Sequence, residues 1–368
     1  MNTLNQPDRT TPGQQPVPTW FLAIVTLPIL LGLVWFGRDF LIPITLATFL
    51  FILNTALIEH VDSASIGGYS VPRWLAYIGV TAVVFTILIG LGYLVSNQAA
   101  AIGEAAPRYA ERLNSLEASV DAFLGDEITQ NIEQAIEQAD IRTWLLNFAS
   151  SAGGLLGNIG LILMYFAFML VERGAFAKKL PRLFASQQDA KRSSEILHSI
   201  SLGVRQYMLI NTVTSAMSGT LAFVVLMFLD VDFAVTLALF VFLVNFIPTI
   251  GSFLAVVVPT LVALLQFDTI IPALIVVVVY GGGDAIIGNV VQPRLQGKSL
   301  NLSSFVVIVA LAFWGMMWGG VGAFMAVPLT VVIMIVCSQV PGLRPVAIML
   351  STDGILPGEN EKAVTKTD

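Results

Sequence analysis

The sequence predicts an all-α, polytopic membrane protein of about eight membrane segments, with a small helical hairpin outside the membrane. The mean hydropathy is +0.83 and 11% of the 368 residues are charged, which is more apolar surface than a soluble domain can bury. Charge-free runs of about 20 residues, the length that crosses a bilayer core as a helix, recur along the chain. Two longer runs, 233–266 and 303–340, are each predicted to form a re-entrant, broken helical hairpin.

The distribution of charge predicts the orientation. Residues 97–150 hold nine acids against three bases, whereas residues 172–205 hold seven bases. By the positive-inside rule the basic stretch is cytoplasmic and the acidic stretch lies outside. Counting crossings then places both termini in the cytoplasm and the turn at 230–232 outside. From that turn to an inside loop at 294, either three full passes or a hairpin followed by one pass would fit, and we favour the hairpin.

The extramembrane stretches have amphipathic patterns. Pro107 suits the first turn of a helix, and apolar residues follow it at steps of four and three; a second apolar stripe covers 128–139. Together they predict an acidic helical hairpin over 97–150. The basic stretch 173–204 carries apolar residues among its bases, which is typical of an interfacial helix beside anionic lipid.

The sequence lacks the residues that several classes of function require. The single cysteine, Cys337, excludes an intramolecular disulfide framework and a cysteine-based metal cluster, and we expect neither a metal nor a cofactor. An acidic extramembrane stretch gives no support for nucleic-acid binding. An intramembrane protease would need a metal motif, an aspartate pair or a serine near a histidine, whereas His60 and His198 lie near predicted cytoplasmic ends. An enzyme is therefore not expected; a membrane scaffold that transports nothing remains an alternative.

The first irregular membrane segment is NFIPTIGS, residues 245–252. Pro248 removes a backbone donor and Gly251 favours a turn, so the helix is predicted to break there. Unpaired backbone groups at that depth are tolerated only in protein or around a wet cavity. Asn245, Thr249 and Ser252 would line the break and bind substrate or ion. The alternative is a proline kink that neighbouring helices satisfy.

The second irregular segment surrounds Asp284. An aspartate within a span costs about 2.5 to 3.5 kcal/mol on insertion scales, so it should face a polar interior, carry a proton or meet a cation. Asn289 and Gln292 lie on neighbouring helical positions and would complete a polar strip. Arg294 and Lys298 follow in a predicted cytoplasmic loop. The alternative is that Asp284 forms an ion pair with a base near the helix end.

A glycine-rich turn is predicted at Gly315, Gly319 and Gly320, between two apolar legs; an aromatic belt at the interface is the alternative. The segment from Gly251 to Pro259 can be laid on that from Gly320 to Pro328. If this similarity is real, the two hairpins form an inverted repeat with a binding site between them and act as alternating gates. We expect the stretches around 248, 284 and 318 to meet. The serines at 215 and 218 are typical of helix-to-helix contacts and singly carry little weight.

Three motifs carry a resemblance to a known family: NFIPTIGS (245–252), GNVVQPRLQGKSLNLSS (288–304) and WGMMWGGVGAFMAVPLT (314–330). The chain resembles the autoinducer-2 exporter family of bacterial permeases over nearly its whole length. The resemblance implies an inner-membrane permease for furanosyl signalling molecules, other small solutes, or Na⁺ and Li⁺ exchanged for protons. It also implies a homo-oligomer, with a pentamer favoured. Many members carry a glutamate where this chain has Ile287, and Asp284 is the acid available here.

The leading hypothesis is a secondary transporter that exports a small polar, autoinducer-2-like solute by alternating access, since the chain has no phosphate-binding loop for ATP. The alternative is a Na⁺(Li⁺)/H⁺ antiporter that uses Asp284.

The sequence also predicts how the chain is divided. The expected parts are a disordered cytoplasmic tail (1–19), three membrane helices (20–96), the acidic extracytoplasmic hairpin (97–150), a fourth membrane helix (151–172), the basic interfacial helix (173–204), a transport core (205–340) and a cytoplasmic tail (341–368).

Overall fold

The computed structural model describes residues 19–63, 65–66, 69–70, 72–124, 141–179, 187–296 and 302–354. Most of the predicted tails, the second apolar stripe at 128–139 and Lys298 lie outside these ranges. The chain divides into two units, residues 1–41 and 42–368. The helices are α1 (Thr19–Phe36), α2 (Arg38–Ser63), α3 (Arg73–Leu124), α4 (Ile141–Lys179), α5 (Gln187–Phe228), α6 (Ala234–Val244), α7 (Ile250–Gln266), α8 (271–296), α9 (Ser304–Gln339) and α10 (Arg344–Leu350).

The described part of the chain is helical apart from one short antiparallel pairing, β1 (Ser65–Ile66) with β2 (Tyr69–Ser70). Six of its helices are long and apolar enough to cross a membrane: Arg38–Glu59, Trp74–Leu94, Asn158–Phe176, His198–Phe228, Ile271–Leu295 and Ser304–Gln339. Two further apolar helices, α6 and α7, are shorter. This pattern is that of a multi-pass membrane protein.

The extramembrane stretches belong to longer helices than the sequence predicted. Helix α3 runs for 52 residues and passes through Pro107, where a new helix was expected to begin. A proline inside a helix removes one backbone hydrogen bond, and the carbonyl it leaves can bond to water outside the bilayer. The basic stretch is divided likewise between the end of α4, which runs to Lys179, and the start of α5 at Gln187.

At one end of the molecule, the extension of α3 holds the turns on either side of α6 and α7. Arg108 forms an ion pair with Asp232, and the Tyr109 hydroxyl donates to the same carboxylate at 3.0 Å. Arg112 pairs with Asp268 at 3.2 Å. Burial, together with the hydrogen bond to Asp232, raises the pKa of Tyr109 to about 12, so this hydroxyl remains a donor at neutral pH. We call this region the clamp end.

Two contacts tie helices together at the other end. Arg205, near the start of the apolar span His198–Phe228 of α5, pairs with Glu59 near the end of α2. Arg173 near the end of α4 donates to the Tyr77 hydroxyl near the start of α3, and its guanidinium lies 5.4 Å from the centre of that ring. Arg173 and Arg205 belong to the basic stretch that was predicted to be cytoplasmic, and these contacts bring Glu59 and Tyr77 to the same end of the molecule.

Helices α6 and α7 fold back on each other, and we call the pair hairpin 1. The Gln266 side chain joins its two ends, because its oxygen accepts from the Asp232 N–H at 2.6 Å and its nitrogen donates to the Asp230 carbonyl at 2.8 Å. Helix α6 has 11 residues, which cover about 16 Å at 1.5 Å per residue, about half of a bilayer core. Hairpin 1 therefore starts and ends at the clamp end.

Helix α9 also folds back, at Gly319, where φ is 65° and ψ is −144°; we call α9 hairpin 2. A Cβ placed on Gly322 would collide with the carbonyl oxygen of Trp314. In a straight helix these two residues would lie about 12 Å apart, so the two legs run side by side. The Ser303 N–H, just before the first leg, donates at 3.1 Å to the carbonyl of Leu350, which follows the second.

Replacing Gln266 by leucine is expected to lower the free energy of unfolding by about 1–3 kcal/mol, because two hydrogen bonds that join the ends of hairpin 1 are lost. Thermal unfolding of the purified protein in detergent measures the change. Asp268→Asn is the matched control, since its side chain is 95% exposed and such ion pairs contribute little. Equal melting temperatures for Gln266→Leu and the unmutated protein would contradict the assigned role.

Candidate functional site

The most unusual residue inside the helical bundle is Asp284, which lies in the middle of α8 and is only 5% exposed. The Ser218 hydroxyl on α5 donates to its Oδ1. The Asn245 side-chain amide, at the tip of hairpin 1, donates to the same oxygen at 3.2 Å. Ser218 Oγ also lies 3.4 Å from the Tyr280 hydroxyl, one turn before Asp284 on α8. These four residues form the Asp284 cluster, to which three separate elements contribute.

The partners of Asp284 are neutral. Among the described residues no lysine, arginine or histidine forms an ion pair with it, so the ion pair considered as an alternative is not among its contacts. A buried charge that lacks a counter-charge is costly. Such a carboxyl group is suited to binding either a proton or a cationic or hydrogen-donating ligand.

The tip of hairpin 1 places Asn245 beside Asp284. The helix is broken where Pro248 and Gly251 predicted it, since α6 ends at Val244 and α7 begins at Ile250. A Cβ on Gly251 would collide with the Val244 carbonyl, so only glycine allows this approach of the two legs.

Thr249 closes the tip in a strained conformation. Its φ is 64° and its ψ is −57°, and the Ile250 N–H donates to the Pro248 carbonyl at 2.6 Å. This three-residue γ-turn is rare for a residue with a side chain.

The other predicted site residues lie elsewhere. Thr249 and Ser252 are exposed at the tip of hairpin 1. Asn289 is exposed, and its amide donates to the Ala285 carbonyl of its own helix at 2.9 Å. Gln292 donates to Asn211 on α5 at 3.0 Å, and Arg294 is exposed near the end of α8. Of the predicted binding residues, only Asn245 contacts Asp284.

The helical geometry of α8 explains this difference. Residues 276–281 and 287–291 are π-helical, and a π-bulge inserts an extra residue into an α-helix. Asn211 and Ser218 on α5 are seven residues apart, which is two α-helical turns. Their partners on α8, Gln292 and Asp284, are eight apart. The extra residue keeps both partners facing α5, whereas Asn289, five residues after Asp284, would lie about 140° away from it around a regular α-helix.

Sequence reasoning gave too little weight to α5. Asn211, Ser215 and Ser218 are each at most 3% exposed, and their spacing of four and three residues places them on one face of the helix. Each residue alone resembles an ordinary helix-to-helix contact. Their shared face was the signal that could have identified them as one polar surface opposite Asp284.

Hairpin 2 approaches the site through an aromatic contact. The rings of Phe246, at the tip of hairpin 1, and Phe324, on the second leg of hairpin 2, lie 4.7 Å apart. The stretches around 248 and 284 thus meet through Asn245. The stretch around 318 is joined to them by way of Phe324.

The glycines predicted to form the turn of hairpin 2 have different surroundings. Gly319 is the break, whereas a Cβ on Gly320 would meet nothing within 4 Å and one on Gly315 would make an ordinary contact with Ala323. The tight contact belongs to Gly322, which the predicted set did not include.

Comparison with known proteins places the chain among transporters. Residues 24–342 match the family described as AI-2E family transporter. The AI-2 transport protein TqsA of Escherichia coli (strain K12) is 31% identical over 336 residues, which cover 88% of this chain and 93% of TqsA. A transport protein of Haemophilus influenzae is 26% identical over 89% of this chain and 95% of its own length. YhhT of Escherichia coli, also named as a transport protein, is 26% identical over 94% and 96%. The chain is therefore a membrane transporter that belongs to the AI-2E family, as its three motifs indicated.

Proposed function

We propose that this protein is a secondary transporter of the bacterial inner membrane that exports a small polar solute by alternating access, with the Asp284 cluster as its binding site. The observation that carries the proposal is a buried carboxyl group in the middle of a span, held by two neutral donors, one of which lies at the broken tip of a hairpin. Acids in spans are costly and mark substrate or proton pathways. Broken helices near the midplane are where secondary transporters bind their substrates.

The two hairpins are proposed to be re-entrant gates that enter from opposite sides. Hairpin 1 starts and ends beside the far end of α5, at the clamp end. The second leg of hairpin 2 packs near the other end of the apolar span His198–Phe228 of α5, where Gly203 faces Val331 and Ile335. Because that span has 31 residues, the two hairpins contact opposite ends of it. The contact of Phe246 with Phe324 joins the gates.

The orientation rests on charge. The end that holds Arg173, Arg205 and Arg294 is proposed to be cytoplasmic, together with both termini, because basic residues favour that side. The spans of α3 and α4 are largely unburied. This exposure suits contact with lipid or with another subunit, and we retain the homo-oligomer that the sequence indicated as part of the proposal.

The hydrogen-bonding groups of the Asp284 cluster limit the classes of solute that it can bind. The carboxylate of Asp284 accepts hydrogen bonds, and Asn245 Oδ1 is a buried acceptor without a partner among the described residues. Acceptors without a nearby cationic side chain favour hydroxyl-rich neutral solutes or cations over anions. Autoinducer-2, which appears in the name of the E. coli relative, is the solute to test first.

A second candidate function is exchange of Na⁺ or Li⁺ for protons. It is favoured by the oxygens that the Asp284 cluster contains: the Asp284 carboxylate, Asn245 Oδ1 and Ser218 Oγ are ligands of the type that hard cations prefer. In this case the ion and the proton would compete for Asp284. A cation flux that depends on pH, with no autoinducer-2 flux, would favour this candidate.

The test uses the purified protein in liposomes, with autoinducer-2 flux and Na⁺ or Li⁺ flux measured under sodium and pH gradients. Asn245→Ala is expected to reduce flux by about tenfold, since a hydrogen bond to a charged group contributes about 1.5–3 kcal/mol. Asn289→Ala is the matched control and should remain within about twofold of the unmutated protein. If neither solute nor cation moves under any gradient, the transport proposal fails in favour of a scaffold. Equal fluxes for Asn245→Ala and Asn289→Ala would show that the Asp284 cluster is not the binding site.

A further inference from the structure

We infer that water and protons reach Asp284 from the Arg294 end of α8, along a seam of polar side chains between α5 and α8, while the path from the clamp end is closed by hydrocarbon. The seam is made of Ser218, Ser215, Asn211 and Gln292. The inference deepens the proposed function by naming the side that exchanges protons with the site, and its role in coupling rests on that function.

The seam is continuous along α5. Ser218, which contacts Asp284, is followed at one-turn steps by Ser215 and Asn211, and all three are buried. Together they extend about 10 Å along the helix axis. Asn211 then accepts a hydrogen bond from Gln292, which is only half-buried. The polar groups therefore lead from a buried acid toward the exposed end of α8.

Ser215 is the observation that requires an occupant. Its side chain is 1% exposed, and its Oγ has no hydrogen-bond partner among the described residues. Serine and threonine in membrane helices usually bond back to a carbonyl of the preceding turn, as Thr214 does to Ile210 at 3.0 Å. An unpaired buried hydroxyl costs about 1–3 kcal/mol, and a bound water would offset that cost.

The helix opposite Ser215 leaves room for such a water. Because Asp284 meets Ser218 and Gln292 meets Asn211, the two helices run antiparallel, and Gly288 lies near the level of Ser215. A Cβ on Gly288 would meet no heavy atom within 4 Å, so the space beside it is open. No heavy atom therefore fills the space where a side chain at this level of α8 would begin.

The other direction along α5 is apolar. Beyond Ser218 toward the clamp end, the same face carries Ala222 and Leu226, both fully buried, in a cluster with Val241 and Val276. In this cluster Tyr280 is the member with a polar side-chain group, and its hydroxyl lies 3.4 Å from Ser218 Oγ, within the Asp284 cluster. Solvent can therefore follow the seam from the Arg294 end and stops at the Asp284 cluster.

The seam reaches the surface along α8. Past Asn211, the α5 face carries Tyr207, whose buried hydroxyl has no hydrogen-bond partner among the described residues, and then Val204, which packs in a cluster with residues of hairpin 2. Gln292 carries the polar path sideways, away from that cluster and toward the surface at Arg294.

The proton step is simple. The Asp284 carboxyl group gives its proton to a water held at Ser215, and that water passes a proton to a second water at Gln292, which leaves a carboxylate; the reverse sequence restores the acid. The elements packed on Asp284 contribute Ser218 and Asn245, neither of which titrates near neutral pH, and Tyr280 is the titratable side chain in its cluster. The charged Arg294 is exposed farther along α8.

The test is silver-ion access to single cysteines, because Ag⁺ is close to water in size and binds thiolates. The native cysteine is first removed by Cys337→Ser, and Ser215→Cys is added. Vesicles of known sidedness, checked by labelling an Arg294→Cys variant with an impermeant maleimide, are treated with Ag⁺ on one side. The protein is then denatured and its remaining thiols are counted. Ser215→Cys is expected to react at least about tenfold faster from the Arg294 side.

Ala222→Cys is the matched control. It lies on the same face of α5, in the apolar cluster, and should be protected from both sides. Gly288→Cys is the second variant, in case Ser215→Cys does not fold, and it should react from the Arg294 side as well. Protection of both seam variants, or faster reaction from the clamp side, would overturn the inference. Since no solute is used, the result is independent of the flux assay, so a failure of the seam and a failure of transport are distinguishable.

Discussion

Gly322→Val and Gly251→Val are expected to prevent the two hairpins from folding, whereas Gly320→Val is tolerated. At Gly322 and Gly251 the added Cβ would collide with backbone carbonyls, of Trp314 and Val244 respectively. A backbone atom cannot rotate away as a side chain can, so the legs must separate. The cost is on the order of 3 kcal/mol, which is a large fraction of the stability of a typical domain.

The yield of monodisperse protein after extraction and its melting temperature measure this effect. Gly320→Val is the matched control, because its Cβ would meet nothing within 4 Å and its leg and residue type are the same. From the sequence alone, Gly320 was aligned with Gly251 as its counterpart in the predicted inverted repeat. Equal losses at Gly320 and Gly322 would show that hairpin 2 does not fold back as described.

Asp284→Asn is expected to reduce transport by about tenfold to a hundredfold, because hydrogen bonds to a charged group contribute about 1.5–3 kcal/mol. The substitution keeps the size of the side chain and an oxygen that can accept from Ser218, so the fold should remain intact. It removes the negative charge and the exchangeable proton. Any dependence of flux on the pH gradient should therefore disappear with it.

Flux into and out of liposomes, under sodium and pH gradients, checks this prediction. Asp268→Asn is the control, since it makes the same chemical change at an exposed position of the clamp. Loss of cation flux with unchanged autoinducer-2 flux would show that Asp284 serves cation/proton exchange and not autoinducer-2 transport. Unchanged flux of both kinds, in a variant that folds, would mean that the cluster is only structural.

The break in hairpin 1 could be predicted because Pro248 and Gly251 act locally, through a missing donor and a missing side chain. Which helix ends lie on the same side of the membrane could be predicted because the distribution of acidic and basic residues is visible in the sequence. The contacts of Arg205 with Glu59 and of Arg108 with Asp232 join residues that were expected on the same side.

The partners of Asp284 could be predicted only in part. Asn245 was named because it borders the break, but Ser218 is 66 residues away in sequence and resembles an ordinary helix contact. Asn289 was predicted to lie beside Asp284, but it is five residues farther on, which is about 140° around an α-helix, and its side chain is exposed. The π-helical segments of α8 are not indicated by the residue pattern.

The amino-acid sequence was enough to predict a membrane protein, the break of hairpin 1 and the family. These properties follow from hydropathy, from proline and glycine, and from motifs, each of which acts over short stretches of chain. The packing of the folded chain was needed to show that Ser218 faces Asp284, that Gly322 and not Gly320 bears the close contact, and that Asn211 and Ser215 are buried on the same face of α5 as Ser218. Those features depend on the rotation and register of packed helices, where one residue of shift turns a side chain by about 100°.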